Sequence, residues 1–146
     1  MKIKEKISTV FGFTSYVWHE LNRKHWLFEP VEDFIKENIV LENYTDTQKV
    51  GNLFFGFQIN PPPVDKMFSY PNSFAYKKGI IFLYGKIDYE TFKNATEKEA
   101  LQLLCQSYLA AILTIPSLRG MKKVHFEAQK LHDDLVKSFA EKGFLE

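Results

Sequence analysis

The strongest constraint on the fold is an abrupt change of hydrophobic periodicity in the second half of the chain. Phe74–Ile87 is rich in aliphatic and aromatic side chains, with Gly79 marking a turn, and predicts strands. From Thr96 onward the apolar side chains recur every three or four residues, which is typical of a helix. Thr96 and Glu99 have the spacing of a capping box, which satisfies free backbone amides at a helix N-terminus. The pattern predicts strands followed directly by a helix that Pro116 ends.

A second amphipathic helix closes the chain. Its polar side chains surround a single apolar stripe, and Gly143 follows as a C-terminal cap. The stripe is formed by Val124, Ala128, Leu131, Leu135 and Phe139. Two amphipathic helices need an apolar surface to cover, and the preceding strands provide one. We therefore expect a single α+β domain over residues 1–146, with a mostly antiparallel sheet covered by these two helices.

The first half of the chain gives weaker signals. Ile3–Phe13 and Leu53–Ile59 predict strands, and Pro30 predicts the start of a short helix. Tyr16–Trp26 is ambiguous between helix and strand. The prolines at 61–63 predict a rigid loop between two strands, because proline fixes its own backbone and restricts the residue before it.

Charge and composition exclude some classes of function. The 19 basic and 18 acidic residues leave a formal charge of +1, so no global field attracts the protein to nucleic acid or to an anionic membrane. The 14 Phe, 7 Tyr and 2 Trp make the chain rich in aromatic residues, which serve both cores and interfaces. Any electrostatic partner must therefore be bound by a local patch.

The expected compartment is the cytoplasm. The single cysteine, Cys105, cannot form an internal disulfide and so fits a reducing environment. The N-terminus lacks the apolar core and cleavage site of a signal peptide. We found no apolar run approaching the roughly 20 residues of a membrane-spanning helix.

The residues typical of catalysis or metal binding do not form a recognised motif. His19, Glu20 and His25 lack the zinc-hydrolase spacing, which needs two histidines one helical turn apart with the glutamate between them. His125 and His132 are expected on a solvent-facing side of the last helix, without enough good ligands for zinc.

Cys105 lies on an apolar helical stripe, so we expect a packed core thiol rather than a nucleophile. Neither a serine-hydrolase elbow nor a phosphate-binding loop is present. We expect no metal and no cofactor.

Two alternative functions stay open. A small enzyme could assemble a site from dispersed residues such as His19, Glu20 and His132, which spacing in the sequence does not reveal. The segment Trp18–Trp26 interleaves cations with aromatic rings, as single-stranded nucleic-acid platforms do, and therefore leaves an RNA-binding module as the other alternative.

A family resemblance covers residues 79–140. It rests on an acidic and aromatic turn with Asp88, Tyr89 and Phe92, on Asn94-Ala95-Thr96 before an acidic helix start, and on the last helix. In that helix Phe126, Leu131 and Asp134 carry the likeness. This half of the chain resembles small immunity proteins of bacterial polymorphic and contact-dependent growth inhibition toxin systems. The resemblance implies a cytoplasmic protein that is not an enzyme and that neutralises one cognate toxin domain by tight binding. The toxins of such systems include nucleases.

The expected contact surface is a local acidic patch with an aromatic anchor. The near-neutral charge argues against mimicry of nucleic acid by the whole protein, whereas matched local charges and buried rings suit tight protein binding. The partner-binding residues that we predict are Asp88, Tyr89, Glu90, Asp133 and Asp134. We expect a 1:1 complex with the toxin domain, without direct binding to nucleic acid or membrane.

Overall fold

The computed structural model describes residues 6–13, 15–61 and 70–146. Residues 3–5 of the first predicted strand and two of the three consecutive prolines lie outside these ranges. The strands are β1 (Lys6–Gly12), β2 (Asn52–Gln58), β3 (Ser73–Ala75) and β4 (Ile80–Lys86). The helices are α1 (Ser15–Glu20), α2 (Phe28–Asn38), α3 (Tyr89–Asn94), α4 (Glu97–Leu113) and α5 (Ala128–Lys142). The α+β class is confirmed.

The four described strands form one mixed sheet in the order β1-β2-β4-β3. β2 pairs in parallel with both β1 and β4, and only β3 and β4 form an antiparallel pair. The prediction of a mostly antiparallel sheet is therefore wrong. Parallel strands need a long crossover connection, and residues 13–51 between β1 and β2 supply one that contains two helices. The segment between β2 and β4 is also long, and β3 within it pairs on the outer side of β4.

Gly79 makes the β3–β4 turn, as predicted. Its φ of 66° lies in the left-handed region, where a side chain is strained. A Cβ atom at this position would also lie 3.0 Å from the carbonyl oxygen of Lys49. The Gly79 carbonyl accepts a hydrogen bond from the amide of Gly51 at 2.9 Å, so the turn is fixed to the start of β2.

Rings and aliphatic side chains on one face of the sheet form the core with the helices. Phe55 and Phe57 of β2 lie on this face, and both rings contact Tyr108 of α4 at centroid distances of 4.8 and 5.1 Å. The Tyr108 hydroxyl donates to Thr9 Oγ1 of β1 at 2.6 Å, so its one polar atom is satisfied inside the core. Burial raises the pKa of Tyr108, which stays neutral.

The helices over this face differ from the predicted pair. α4 packs against β4, and α2 packs against β1. α5 makes its main contacts with α4, so it forms a further layer instead of covering the sheet. The predicted stripe of α5 is buried from Ala128 to Phe139, whereas Val124 lies in extended backbone before the helix. Amphipathicity predicts that a helix is covered on one side, but not which element covers it.

The capping box at the start of α4 is confirmed. The amide of Glu99 donates to Thr96 Oγ1 at 3.1 Å, and the amide of Thr96 donates to the Glu99 carboxylate at 2.8 Å. α4 ends at Leu113, and Pro116 lies in the 3-10 turn that follows.

The helical segment Glu97–Ser117 is long and apolar enough to cross a membrane, by length and composition alone. This differs from the sequence-based expectation that no such segment is present. Core helices can have the same length and composition, and Leu104, Cys105, Tyr108 and Ile112 of this segment are buried within the protein.

Replacing Thr96 by alanine is expected to lower the free energy of unfolding by about 1 kcal/mol, because the Glu99 amide loses its acceptor. Thr96→Ser keeps the hydroxyl and is the matched control, with an expected change near zero. Urea titration followed by circular dichroism measures both. Equal losses in the two variants would contradict a stabilising role for this cap.

The ambiguous segment Tyr16–Trp26 contains no described strand: it consists of most of α1, a turn and the start of a 3-10 turn. α1 ends at Glu20, and a 3-10 turn covers Lys24–Leu27 before α2 begins. α2 starts at Phe28, so Pro30 lies within its first turn and does not open it. Proline is tolerated there because the first helical amides have no partner inside the helix.

Candidate partner-binding surface

The predicted acidic residues of α3 lie at its N-terminus. The Asp88 carboxylate accepts from the Thr91 hydroxyl at 2.7 Å and from the Thr91 amide at 3.0 Å, which makes Asp88 the N-cap. The hydrogen bond from the Thr91 side chain, together with that from its amide, lowers the pKa of Asp88. Glu90 is exposed in the first turn. Both carboxylates are accessible to a partner.

Tyr89 occupies a core position. Its side chain is only 5% exposed, and the Lys93 ammonium lies 5.7 Å from its ring centroid. The Tyr89 hydroxyl is buried without a hydrogen-bond partner among the described residues. A ring in this position contacts a partner only if its neighbours move.

The predicted acidic residues of α5 differ from each other in exposure. Asp133 is exposed and lies 2.9 Å from both His132 Nδ1 and Gln129 Nε2, and the contact with His132 lowers the pKa of Asp133. Asp134 is half-buried and accepts from the Tyr44 hydroxyl at 2.6 Å. Burial and this hydrogen bond raise the pKa of Tyr44 to about 12.

The α3 and α5 groups are not joined by any hydrogen bond or ion pair within the described parts of the chain. The structure thus does not assemble the five predicted contact residues into one connected cluster.

The candidate catalytic and metal-binding residues are also separate. His19 and Glu20 are exposed on α1, and no hydrogen bond or ion pair connects them with His132 among the described residues. His125 precedes α5, so the predicted shared helical face with His132 is wrong. Across residues 6–13, 15–61 and 70–146, no group of three or more His, Cys, Asp or Glu side chains could hold a metal ion.

The core position of Cys105 is confirmed. Its side chain is fully buried in α4, and burial raises the pKa of the thiol to about 12. A thiol with this pKa stays protonated and is a poor nucleophile.

Two tryptophans form an exposed aromatic surface beside the end of β1. Trp18 of α1 is 41% exposed and Trp26 of the following 3-10 turn is 46% exposed, with their rings edge to face at 6.0 Å. The Arg23 guanidinium lies 5.3 Å from the Trp26 ring centroid, within the range of a cation–π contact. Phe13 contacts Trp18 at 5.4 Å. We call these four residues, with His25 beneath them, the tryptophan surface.

The backbone that presents this surface is held in an unusual conformation. Asn22 and Arg23 have positive φ angles of 51° and 65°, which non-glycine residues seldom adopt. The buried Lys24 fixes the turn from below, because its ammonium donates to the carbonyl oxygens of Lys93 and Ala95, the latter at 2.7 Å. These carbonyls lie at the C-terminal end of α3, where a cation is favourable. The turn after α1 and the end of α3 are far apart in the sequence, and Lys24 joins them.

His25 forms the floor of the tryptophan surface. It is 1% exposed, and its ring lies 4.4 Å from Trp18 and 4.9 Å from Phe13 between centroids. Both ring nitrogens lack a hydrogen-bond partner in the described residues. Burial lowers the pKa of His25, so the imidazole is neutral at pH 7.

Acidification is expected to destabilise the protein through His25. Its folded-state pKa is below the unfolded value, so the unfolded chain binds the proton first and stability is lost as the pH falls below about 6.5. His25→Phe should reduce the fall in unfolding free energy between pH 7.5 and pH 5.5. Urea titrations at both pH values measure the difference. An unchanged pH dependence in His25→Phe would refute this account.

A match to a protein family indicates what kind of partner this protein binds. The model of the family described as immunity protein 44 matches residues 9–141. The chain belongs to this family. Comparisons with curated proteins and with solved structures found no match.

Membership of the immunity protein 44 family implies that the partner is a toxin protein and that the chain acts as an inhibitor that neutralises it. The resemblance to immunity proteins is thus confirmed. The match also extends through the first half of the chain, where the sequence alone showed no signature of the family, and it includes the whole tryptophan surface.

Proposed function

We propose that this protein neutralises its toxin by direct binding in a 1:1 complex, with the tryptophan surface at the centre of the contact. The observation that carries the proposal is the pair of half-exposed indoles, with the Arg23 guanidinium over one of them. Tryptophan and arginine are enriched among the few residues that dominate the binding energy of protein interfaces. The two rings offer a partner a large apolar area. In the free protein this area is in contact with water, which a bound toxin would exclude.

The fixed geometry of the surface favours tight binding. Ordering loops and side chains on association costs free energy, so groups already held in place lose less. Lys24 fixes the turn to α3, and ring contacts hold Trp18 against His25. The nitrogens of His25, which have no hydrogen-bond partner among the described residues, offer a hydrogen-bonding site to a partner group that reaches the floor of the surface.

The proposal also assigns the polar edge of the contact to the acidic residues of α3. The hydrogen bonds from Lys24 place the C-terminal end of α3 beside the turn, and Asp88 lies at the other end of this short helix, roughly 9 Å along its axis. The proposal assigns Asp88 and Glu90 contacts with basic groups of the toxin at the rim of the contact. A nuclease toxin carries such groups to bind its substrate.

The other predicted contacts enter the proposal in different ways. Asp133 is an exposed carboxylate that offers a second contact on α5. Asp134 already accepts a hydrogen bond from the Tyr44 hydroxyl, and the Tyr89 ring is part of the core. In the proposal these two residues support the neighbouring side chains and do not contact the toxin directly.

The proposal also includes the biological setting. We place the protein in the cytoplasm of a bacterium that uses a polymorphic or contact-dependent growth inhibition toxin, encoded beside the gene for this chain. The buried reduced thiol of Cys105 is compatible with that reducing compartment.

Co-expression tests the proposal. Cells that express the neighbouring toxin domain should survive with the wild-type protein and die with a variant in which Trp18 and Trp26 are both alanine. Gel filtration should show a 1:1 complex for the wild type and none for the double tryptophan variant. A variant with Leu113 and Val136 both changed to alanine removes comparably exposed apolar side chains elsewhere and should still protect. Equal death with and without the wild-type protein, with no complex, would refute direct neutralisation.

A further inference from the structure

A basic groove lies at a different place on the molecule from the tryptophan surface. It has a volume of about 850 Å³ and is bounded by three segments that are distant in sequence. These segments are Gln48–Lys49 before β2, the end of β3 with its turn, and the connection between α4 and α5 over residues 116–124. The volume is within the range of sites that bury a ligand or a few side chains.

The walls of the groove are largely apolar. Phe74 is half-buried on one side, and Leu118 and Val124 on the connection between α4 and α5 face the same space. Tyr76 is 70% exposed at the edge, so most of its ring is free to contact a partner. An occupant of this groove therefore has an apolar side chain to bury.

The charged side chains that the structure describes along the groove all have one sign. Among the described residues, its lining includes four cations and no carboxylate. The cations are Lys49, Arg119, Lys122 and Lys123. All four are exposed, and none forms an ion pair with another residue in the described ranges. The nearby Asp46 caps its own turn, where its carboxylate accepts from the Gln48 amide at 3.0 Å.

The loop that carries three of these cations is ordered by its own backbone. Successive turns are closed by hydrogen bonds from Leu118 to Ile115, from Met121 to Leu118 and from Val124 to Met121, at 3.0 to 3.1 Å. The side chains of Leu118 and Met121 are buried and fix the loop to the core. Gly120 between them has a φ of 90°, which favours glycine. The cations thus project from a preformed loop.

We infer that this basic groove receives an acidic segment of the toxin that also carries an aromatic or aliphatic side chain. The inference rests on the proposed function and assigns it a second contact. Charge complementarity selects carboxylates for the four cations, and the apolar walls select a polypeptide, because its side chains supply both kinds of group. A single-stranded nucleic acid meets the cations with its phosphates and Tyr76 with a stacked base, but the aliphatic wall at Val124 suits a side chain better than a base.

Charge reversal at two of the cations tests this assignment. The probe is the purified toxin domain encoded by the neighbouring gene, rendered inactive and titrated by calorimetry. Lys122→Glu with Lys123→Glu is expected to weaken binding by about 30-fold or more, because two attractive pairs become repulsive. Lys137→Glu with Lys142→Glu changes two exposed lysines of α5 and the net charge equally, and should change affinity less than threefold.

Removal of the exposed Tyr76 ring tests the groove independently of its charges. Tyr76→Ala keeps every charge and is expected to weaken binding by about tenfold, through loss of buried apolar area. Added salt should weaken the wild-type complex more than the complex of the Lys122 and Lys123 variant. Salt screens the attractive charge pairs that these two lysines make, and only the wild type has those pairs.

The outcomes separate the groove from the proposed function. Tight binding by the wild type and equally tight binding by the Lys122 and Lys123 variant would overturn the groove assignment and leave direct neutralisation intact. A wild-type protein that forms no complex would overturn both. Binding of a 20-nucleotide single-stranded DNA that the Lys122 and Lys123 variant loses would replace the acidic segment by nucleic acid and also overturn the inference.

Discussion

Trp26→Ala is expected to weaken the complex with the toxin domain by about 30-fold to 1,000-fold, and Trp18→Ala by a similar factor. Residues that dominate protein interfaces cost about 2–4 kcal/mol when truncated, and each 1.4 kcal/mol is a factor of ten in affinity. The effect of both changes together should differ from the sum, because the two rings are in contact at 6.0 Å. Isothermal titration calorimetry of the four proteins gives all three values.

The controls for this prediction separate lost contact from lost folding. Trp26→Phe retains a ring for Arg23 and should recover part of the affinity, whereas Val136→Ala on α5 should bind like the wild type. Circular dichroism should show the native spectrum for each variant. Losses below threefold for both tryptophans would mean that the toxin binds elsewhere on the molecule.

Leu131→Ala is expected to lower the free energy of unfolding by about 2–5 kcal/mol, because it leaves a cavity where α5 packs on α4. Leu131 is 1% exposed and lies on the buried stripe with Leu135 and Phe139. A domain of ordinary stability retains only about 5–15 kcal/mol in total, so the variant should unfold at clearly lower urea concentration. Denaturant titration followed by far-ultraviolet circular dichroism measures the change.

The matched control for Leu131 lies on the same helix. Val136 is partly exposed, so Val136→Ala should cost well under 1 kcal/mol. A loss below about 1 kcal/mol for Leu131→Ala as well would show that the stripe contributes little to the core, in contradiction to the packing described above.

The parts of the fold that depend on neighbouring residues were predictable from the sequence. The capping box joins residues three apart, and the hydrophobic stripe of α5 repeats within the helix itself. Gly79 marks its turn because the required backbone conformation is a local property. In each case the physical cause lies within a few residues of its effect.

The pairing of strands and the layering of helices were not predictable in the same way. Leu53–Phe57 is an almost continuous apolar run, which fits a strand but does not specify whether its neighbours run parallel or antiparallel. The choice depends on where the connections before and after β2 run, and that is set by contacts across the whole molecule. The apolar stripe of α5 likewise fits α4 as well as it fits a sheet.

The candidate site also combines features set by neighbouring residues with features set by distant contacts. The sequence singled out Trp18–Trp26 for its alternation of rings and cations, although the nucleic-acid interpretation competed there with a partly buried amphipathic element. It could not show that Lys24 joins this segment to the end of α3, because that hydrogen bond spans about 70 residues of chain. The basic groove was missed for the same reason, since Lys49, Tyr76 and Arg119 become neighbours only in the folded protein.

The location of the indoles also gives the protein a built-in optical reporter. Its 2 tryptophans both belong to the surface proposed to meet the toxin, so all of its indole fluorescence originates there. A toxin domain that excludes water from these half-exposed rings should shift their emission to shorter wavelength, without any attached label. His25 lies 4.4 Å from Trp18, so the same emission should also respond when that imidazole gains a proton. One spectrum can therefore follow occupancy and acidification at a single place on the molecule.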